Sequence, residues 1–167
     1  MKEVIVKESD LQRTAEEGMD AFVRVFTEAI HTAIGGELNA ENMAELNADQ
    51  ITLLGYEMLR DEVMTGGFIQ LIHNRYGDFT FRNPFDKAMR NWGLVELHHM
   101  IAKTHRLFMK YHEEIERDYT QEEFDALYEK FPEFDPYDDD FVEYEERFTE
   151  QVAHYIDENI STFAKIE

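Results

Sequence analysis

The chain has 167 residues, 43% of them hydrophobic, with thirteen phenylalanines, three prolines, no cysteine and a formal net charge of −21 at pH 7. That is enough for a buried core and too apolar for a disordered acidic tail, and it leaves neither a thiol nucleophile nor a disulfide framework. A field this negative repels nucleic acid and anionic membrane and attracts basic proteins and cations, which speaks against direct nucleic-acid binding.

The N-terminal "MKEVIVKESD" has a short apolar patch with strand-like alternation, but no signal-peptide core or small-residue cleavage site. No apolar run approaches the ~20 residues that span a bilayer, and the expectation is a cytoplasmic protein with no membrane partner. Leu11, Ala15, Met19, Phe22, Phe26, Ile30 and Ala33 recur in steps of three and four. The spacing predicts one amphipathic helix, capped by Asp10 and stopped at Gly35 and Gly36. "NADQITLLGYEMLRDEVM" predicts a second, with Asn47 as cap. In "TGGFIQLIHNRYGDF" the glycine pair turns the chain, a short helix runs over Phe68–Tyr76, and Gly77 closes it. "RNPFDKAMRNWG" places Asn83 as cap, Pro84 at the first helical position and Gly93 as stop. A long helix follows from Leu94 to about Asp118, with Leu94, Leu97, Ile101, Phe108 and Ile115 inward. "TQEE" is a capping box, Thr120 with Glu123, opening a helix that Pro132 ends. The last helix runs from Asp139 to Phe163, with Tyr144, Phe148, Val152, Ile156 and Phe163 inward. The expected fold is all-α: a single helical domain over 1–167, a bundle of about six to seven helices.

The charge is unevenly placed. Residues 113–167 hold twenty acids and four bases, hence −16, against seventeen and twelve, hence −5, in residues 1–112. The segment "FPEFDPYDDDFVEYEERFTE" alone carries nine acids and one base, Arg147. It lacks the central glycine of a calcium EF-hand loop and has Pro136 early, so that reading fails. Asp138, Asp139 and Asp140 gather at a helix start, where the macrodipole favours anions. Glu143, Glu146, Glu150 and Asp157 then share a face with few bases to offset them, and like charges at that spacing destabilise a helix. Carboxylates three or four residues apart lie about 4.5–6 Å apart along the axis, against one phosphate per ~3.4 Å on each strand of B-DNA. One row is sparser than a DNA strand, so imitation of a duplex needs further rows. Glu113, Glu114, Glu116 and Asp118, and Glu122, Glu123, Asp125 and Glu129, are the candidates for these.

Other constellations read as structural. Glu28-x-x-His31 and Glu96-x-x-His99 have the spacing of half a di-iron site, yet both glutamates point away from the apolar stripe. His98, His105 and His112 recur every seven residues, about 10.5 Å of rise, too far to share one metal. They border the apolar stripe and read as half-buried seam residues, with a pH-sensitive interface as the alternative. Gly66 and Gly67 suit a tight helix–helix corner at which Gln70 and Asn74 would satisfy backbone groups. No nucleophile motif, metal set or cofactor motif is present, so catalytic residues, metal and cofactor are all expected to be none.

Glu62-Val63-x-x-Gly66-Gly67-Phe68-x-Gln70, followed by Asn74 and Gly77, resembles the central motif of a bacterial all-helical family. That family is labelled a domain of unknown function and named for a DNA-mimic member. The Asp-rich turn into "DDDFVEYEERF" resembles its C-terminal part, so that the likeness covers roughly residues 50–163. The resemblance implies an all-helical fold, dimerisation, and binding to a DNA-binding protein through carboxylates that replace DNA, with no catalytic residues to carry over. The expected function is an acidic DNA mimic that blocks the DNA contact of a transcription factor or nucleoid protein. Its expected binding surface is Asp138, Asp139, Asp140, Glu143, Glu146, Glu150 and Asp157. The alternatives are a helical domain with a small-molecule or protein pocket near Gly66–Gln70 and a solubilising acidic surface, or a metal-dependent enzyme.

Overall fold

Apolar spacings of three and four run through most of the chain, and the computed structural model, which describes residues 1–167, is accordingly built of helices. In order they are α1 (Glu8–Glu17), α2 (Met19–Ile34), α3 (Ala48–His73), α4 (Gly77–Arg82), α5 (Phe85–Asn91), α6 (Val95–Ile115), α7 (Gln121–Lys130), α8 (Asp135–Glu158) and α9 (Ile160–Phe163). Single 3-10 turns lie at Asn42–Glu45 and Pro132–Phe134. The "KEVIVKE" patch gives β1 (Ile5–Val6), which pairs in parallel with β2 (Lys165–Ile166), Ile5 opposite Lys165 and Val6 opposite Ile166. The fold is all-α apart from this pair.

Two compact units divide the chain: Met1–Glu57 with Glu146–Glu167, and Met58–Glu145. Helices α3 and α8 contribute residues to both. In the first unit Phe26, Ile30, Leu53, Tyr56, Phe148, Val152, Ile156 and Phe163 are buried. Asn47 caps α3 as expected, in a reciprocal pair: the Gln50 N–H donates to Asn47 Oδ1 at 2.9 Å, and the Asn47 N–H to Gln50 Oε1 at 3.0 Å. Both side chains also donate onward, Asn47 to the Thr162 carbonyl at 2.7 Å and Gln50 to that of Phe163 at 2.9 Å. In the second unit Phe68, Ile72, Phe85, Met89, Leu97, Ile101, Phe108, Phe134 and Phe141 are buried. Phe81 stacks on Phe108 with ring centroids 4.9 Å apart. The Thr120–Glu123 capping box forms as expected.

Several boundaries differ from the expectation. The first helix is two, because Gly18 at φ 101°, ψ −179° breaks it. Asp10 is therefore not its cap but lies inside α1, 3.3 Å from Arg13. Gly77 opens α4 instead of closing a helix. The left-handed residue before it is Arg75, at φ 70°, and a Cβ on Gly77 would strike the Phe108 ring. The N-cap of α5 is Pro84, whose carbonyl accepts the Ala88 N–H at 3.1 Å, not Asn83 as expected; Asn83 stands one residue earlier, its Oδ1 accepting the Phe85 N–H at 2.9 Å. Helix α8 starts at Asp135, four residues early, since Pro136 fits a first turn where no donor is needed. It ends at Glu158, and Phe163 belongs to the separate turn α9. Tyr144 is half-buried, not core.

Candidate partner-binding surface

The carboxylates of α8 divide by where the helix turns them. Asp139, Glu143, Glu146, Glu150 and Asp157 are exposed. At about 100° per residue all five fall within a sector of about 60°. Asp140 is exposed but off to one side. Asp139, Asp140 and Glu143 belong to the second unit, Glu146, Glu150 and Asp157 to the first. The basic side chains of α8 are Arg147, exposed within this stretch, and His154, whose Nε2 lies 3.7 Å from Glu150. On another side of the helix Glu145 is half-buried, 3.8 Å from Arg60.

Asp138 differs from its two neighbours. It is turned toward the glycine corner, where Gly66 (φ −147°, ψ 16°) and Gly67 (φ 72°, ψ −176°) interrupt α3. The interruption leaves the Phe68 N–H without a carbonyl in its own helix, and Asp138 Oδ1 accepts it at 2.8 Å. The carboxylate thus does from another helix what an N-cap side chain does locally. Its other oxygen occupies the space a Cβ of Gly67 would need. Burial pushes the Asp138 pKa up to about 7; the Phe68 N–H opposes the shift, and Asp135 and Asp139 add to it. Beside it the Tyr128 hydroxyl donates to the Gly66 carbonyl at 2.7 Å. Burial, then Asp138 and Asp125, push that phenol up to about 12.

Gln70 and Asn74 do not satisfy backbone groups at the corner. Both amides donate to Glu62 Oε2, at 2.8 and 2.9 Å. One helical turn apart, they reach the same carboxylate, a stronger acceptor than a carbonyl. The space beside Gly66 is filled by the Gln70 side chain. The motif residues Glu62, Gly66, Gly67, Phe68, Gln70 and Asn74 are therefore brought together, with Phe68 fully buried, while Gly77 serves α4.

The further acids are split between folding and surface. Glu114 pairs with Lys130, Glu116 lies 3.4 Å from His112, Glu123 completes the capping box, and Asp125 accepts from Gln121 at 2.9 Å. Glu113, Asp118, Glu122 and Glu129 are exposed. Among the histidines, His31 pairs not with Glu28 but with Glu57, Nε2 to Oε1 at 2.6 Å. His98, His105 and His112 are half-buried as expected. His98 Nδ1 meets the Asp86 carbonyl at 2.9 Å, and His105 stacks on Phe81. Sequence reasoning missed Tyr128, which nothing local marks, and the separate task of Asp138. Glu62 was within reach, since it opens the quoted motif.

Fold and surface together define a strongly acidic helical protein whose helix α3 turns on a side-chain-filled glycine corner. The chain belongs to the family described as DMP19-like protein, which it matches over residues 44–159. It is 37% identical over 73 residues to DNA mimic protein DMP19 of Neisseria meningitidis serogroup B (strain ATCC BAA-335 / MC58). That stretch is 44% of this chain and spans 42% of the relative's length. No helix is long and apolar enough to cross a membrane.

Proposed function

We propose that the protein is a cytoplasmic, dimeric, non-enzymatic DNA mimic, whose carboxylates occupy the DNA-binding surface of a basic transcription factor or nucleoid protein and so block its contact with DNA. The observation that carries this reading is the exposed row Asp139, Glu143, Glu146, Glu150 and Asp157 on α8. Asp139 lies near the helix start, where the dipole favours anions, but like charges at the spacings of the rest work against the helix, so folding gives no reason for Glu143, Glu146, Glu150 and Asp157, whereas a cationic partner does. Asp140 and the exposed acids Glu113, Asp118, Glu122 and Glu129 supply additional negative charge. Asp138, which the sequence places in this surface, is not part of it, because its carboxylate is committed to the glycine corner. That the relative is named a DNA mimic supports the same reading. The pocket alternative near Gly66–Gln70 is weakened, since Gln70 and Asp138 fill that space.

The test is charge reversal. A DNA-binding protein captured on the immobilised wild-type chain should be displaced by duplex DNA. The triple variant Glu143→Lys, Glu146→Lys, Glu150→Lys should bind that same protein at least about tenfold more weakly while keeping its helical circular dichroism. Unchanged affinity in the triple variant removes the row from the interface.

A further inference from the structure

Helix α1 carries an apolar side that the unit formed by Met1–Glu57 and Glu146–Glu167 does not cover. The stripe that continues into the core as Phe26 and Ile30 starts with Leu11, Ala15 and Met19. The break at Gly18 leaves Leu11 half-buried and Ala15 and Met19 in solvent, Met19 at 45% exposure. With Phe22, Ile160 and Ile166 these side chains line an open groove of ≈ 630 Å³, within the roughly 300–1,000 Å³ typical of ligand clefts. Its only charged lining residues are Glu8 and Asp157, and it has no lysine or arginine. Asp157 is also the last member of the α8 row, so groove and row share a residue.

We propose that this groove takes a short amphipathic helix bearing lysine or arginine, contributed by the basic partner. The assignment rests on the partner being cationic, as read above. Apolar side chains of the segment cover Leu11, Ala15 and Met19, and its cationic flank meets Glu8 and Asp157. The cationic segment is preferred because both charged lining residues, Glu8 and Asp157, are acidic; a second copy of this chain is the other occupant, and sedimentation separates the two.

Two synthetic peptides of equal length and equal lysine count test this, one alternating lysine with leucine at helical spacing, the other lysine with serine. By titration calorimetry the wild-type chain should bind the leucine peptide at least about tenfold more tightly than the serine peptide. Ala15→Glu, at an exposed position, should abolish that preference, and Met19→Gln should reduce it. The Glu143→Lys, Glu146→Lys, Glu150→Lys variant should bind both peptides more weakly and keep the ratio. Equal binding of the two peptides by the wild type, or a ratio untouched by both groove variants, overturns the proposal. So does sedimentation showing a dimer that Ala15→Glu dissolves, since the groove would then hold a second copy. The mimicry reading fails separately, through unchanged capture of the DNA-binding protein by the triple variant.

Discussion

Asp138 is asked both to accept a backbone hydrogen bond, which favours its charge, and to sit out of water, which does not. Burial prevails, so its pKa stands at about 7 against an ordinary 3.8. The folded chain then holds the proton to higher pH than the unfolded chain. The stability this contributes is complete below about pH 4 and is lost as pH rises toward about pH 7. Asp138→Asn keeps an oxygen for the Phe68 N–H and removes the charge. It should flatten the fall in stability over that window and exceed the wild type by about 1–3 kcal/mol near pH 8 in urea unfolding. A variant with the wild-type pH profile would mean that the titrating group lies elsewhere. Nothing in "DDD" separates the first aspartate from the other two, because what distinguishes it is Gly67, seventy-one positions earlier in the chain.

Helix ends set by local chemistry were legible: Gly35 and Gly93 with positive φ, the Asn47 and Thr120 caps, and the glycine corner itself. Ends set by tertiary contact were not. Gly77 reads as a stop, yet its lack of a Cβ serves the Phe108 ring, and Arg75 takes the left-handed turn. The corner in α3 shows how different two adjacent glycines are. Gly67 needs φ 72° and faces the Asp138 carboxylate, so Gly67→Ala should cost about 2 kcal/mol or more. Gly66 has a negative φ and meets only a steric obstacle, Gln70, whose own Cβ stands 2.7 Å from the added one, so Gly66→Ala should also destabilise, but by less than Gly67→Ala, which adds backbone strain to its clash. Urea midpoints of the two variants measure the order, and the reverse order would contradict this account of the corner.

At the scale of the whole molecule the net charge of −21 was plain from composition, and the row on α8 could be placed on one helix face from spacing alone. What spacing could not show is which acids the fold spends internally: Asp138, Glu62, Glu114 and Glu123. The exposed remainder governs long-range attraction. Binding to the basic partner should therefore weaken at least about tenfold between about 0.05 and 0.2 M salt, with a shallower slope for the triple lysine variant. Affinity indifferent to salt would point to an interface that the carboxylates do not dominate.

The pairing of Ile5 with Lys165 also orders events in time. Because the first unit joins Met1–Glu57 to Glu146–Glu167, a ribosome making this chain releases the second of these segments only after all of Met58–Glu145. Met58–Glu145, one unbroken stretch, has all its residues available earlier. The nascent N-terminal helices, with Phe26 and Ile30 awaiting Phe148 to Phe163, must stay soluble through the synthesis of about ninety intervening residues. The strand pair, which needs Lys165 and Ile166, can close only after the segment that buries them has been made.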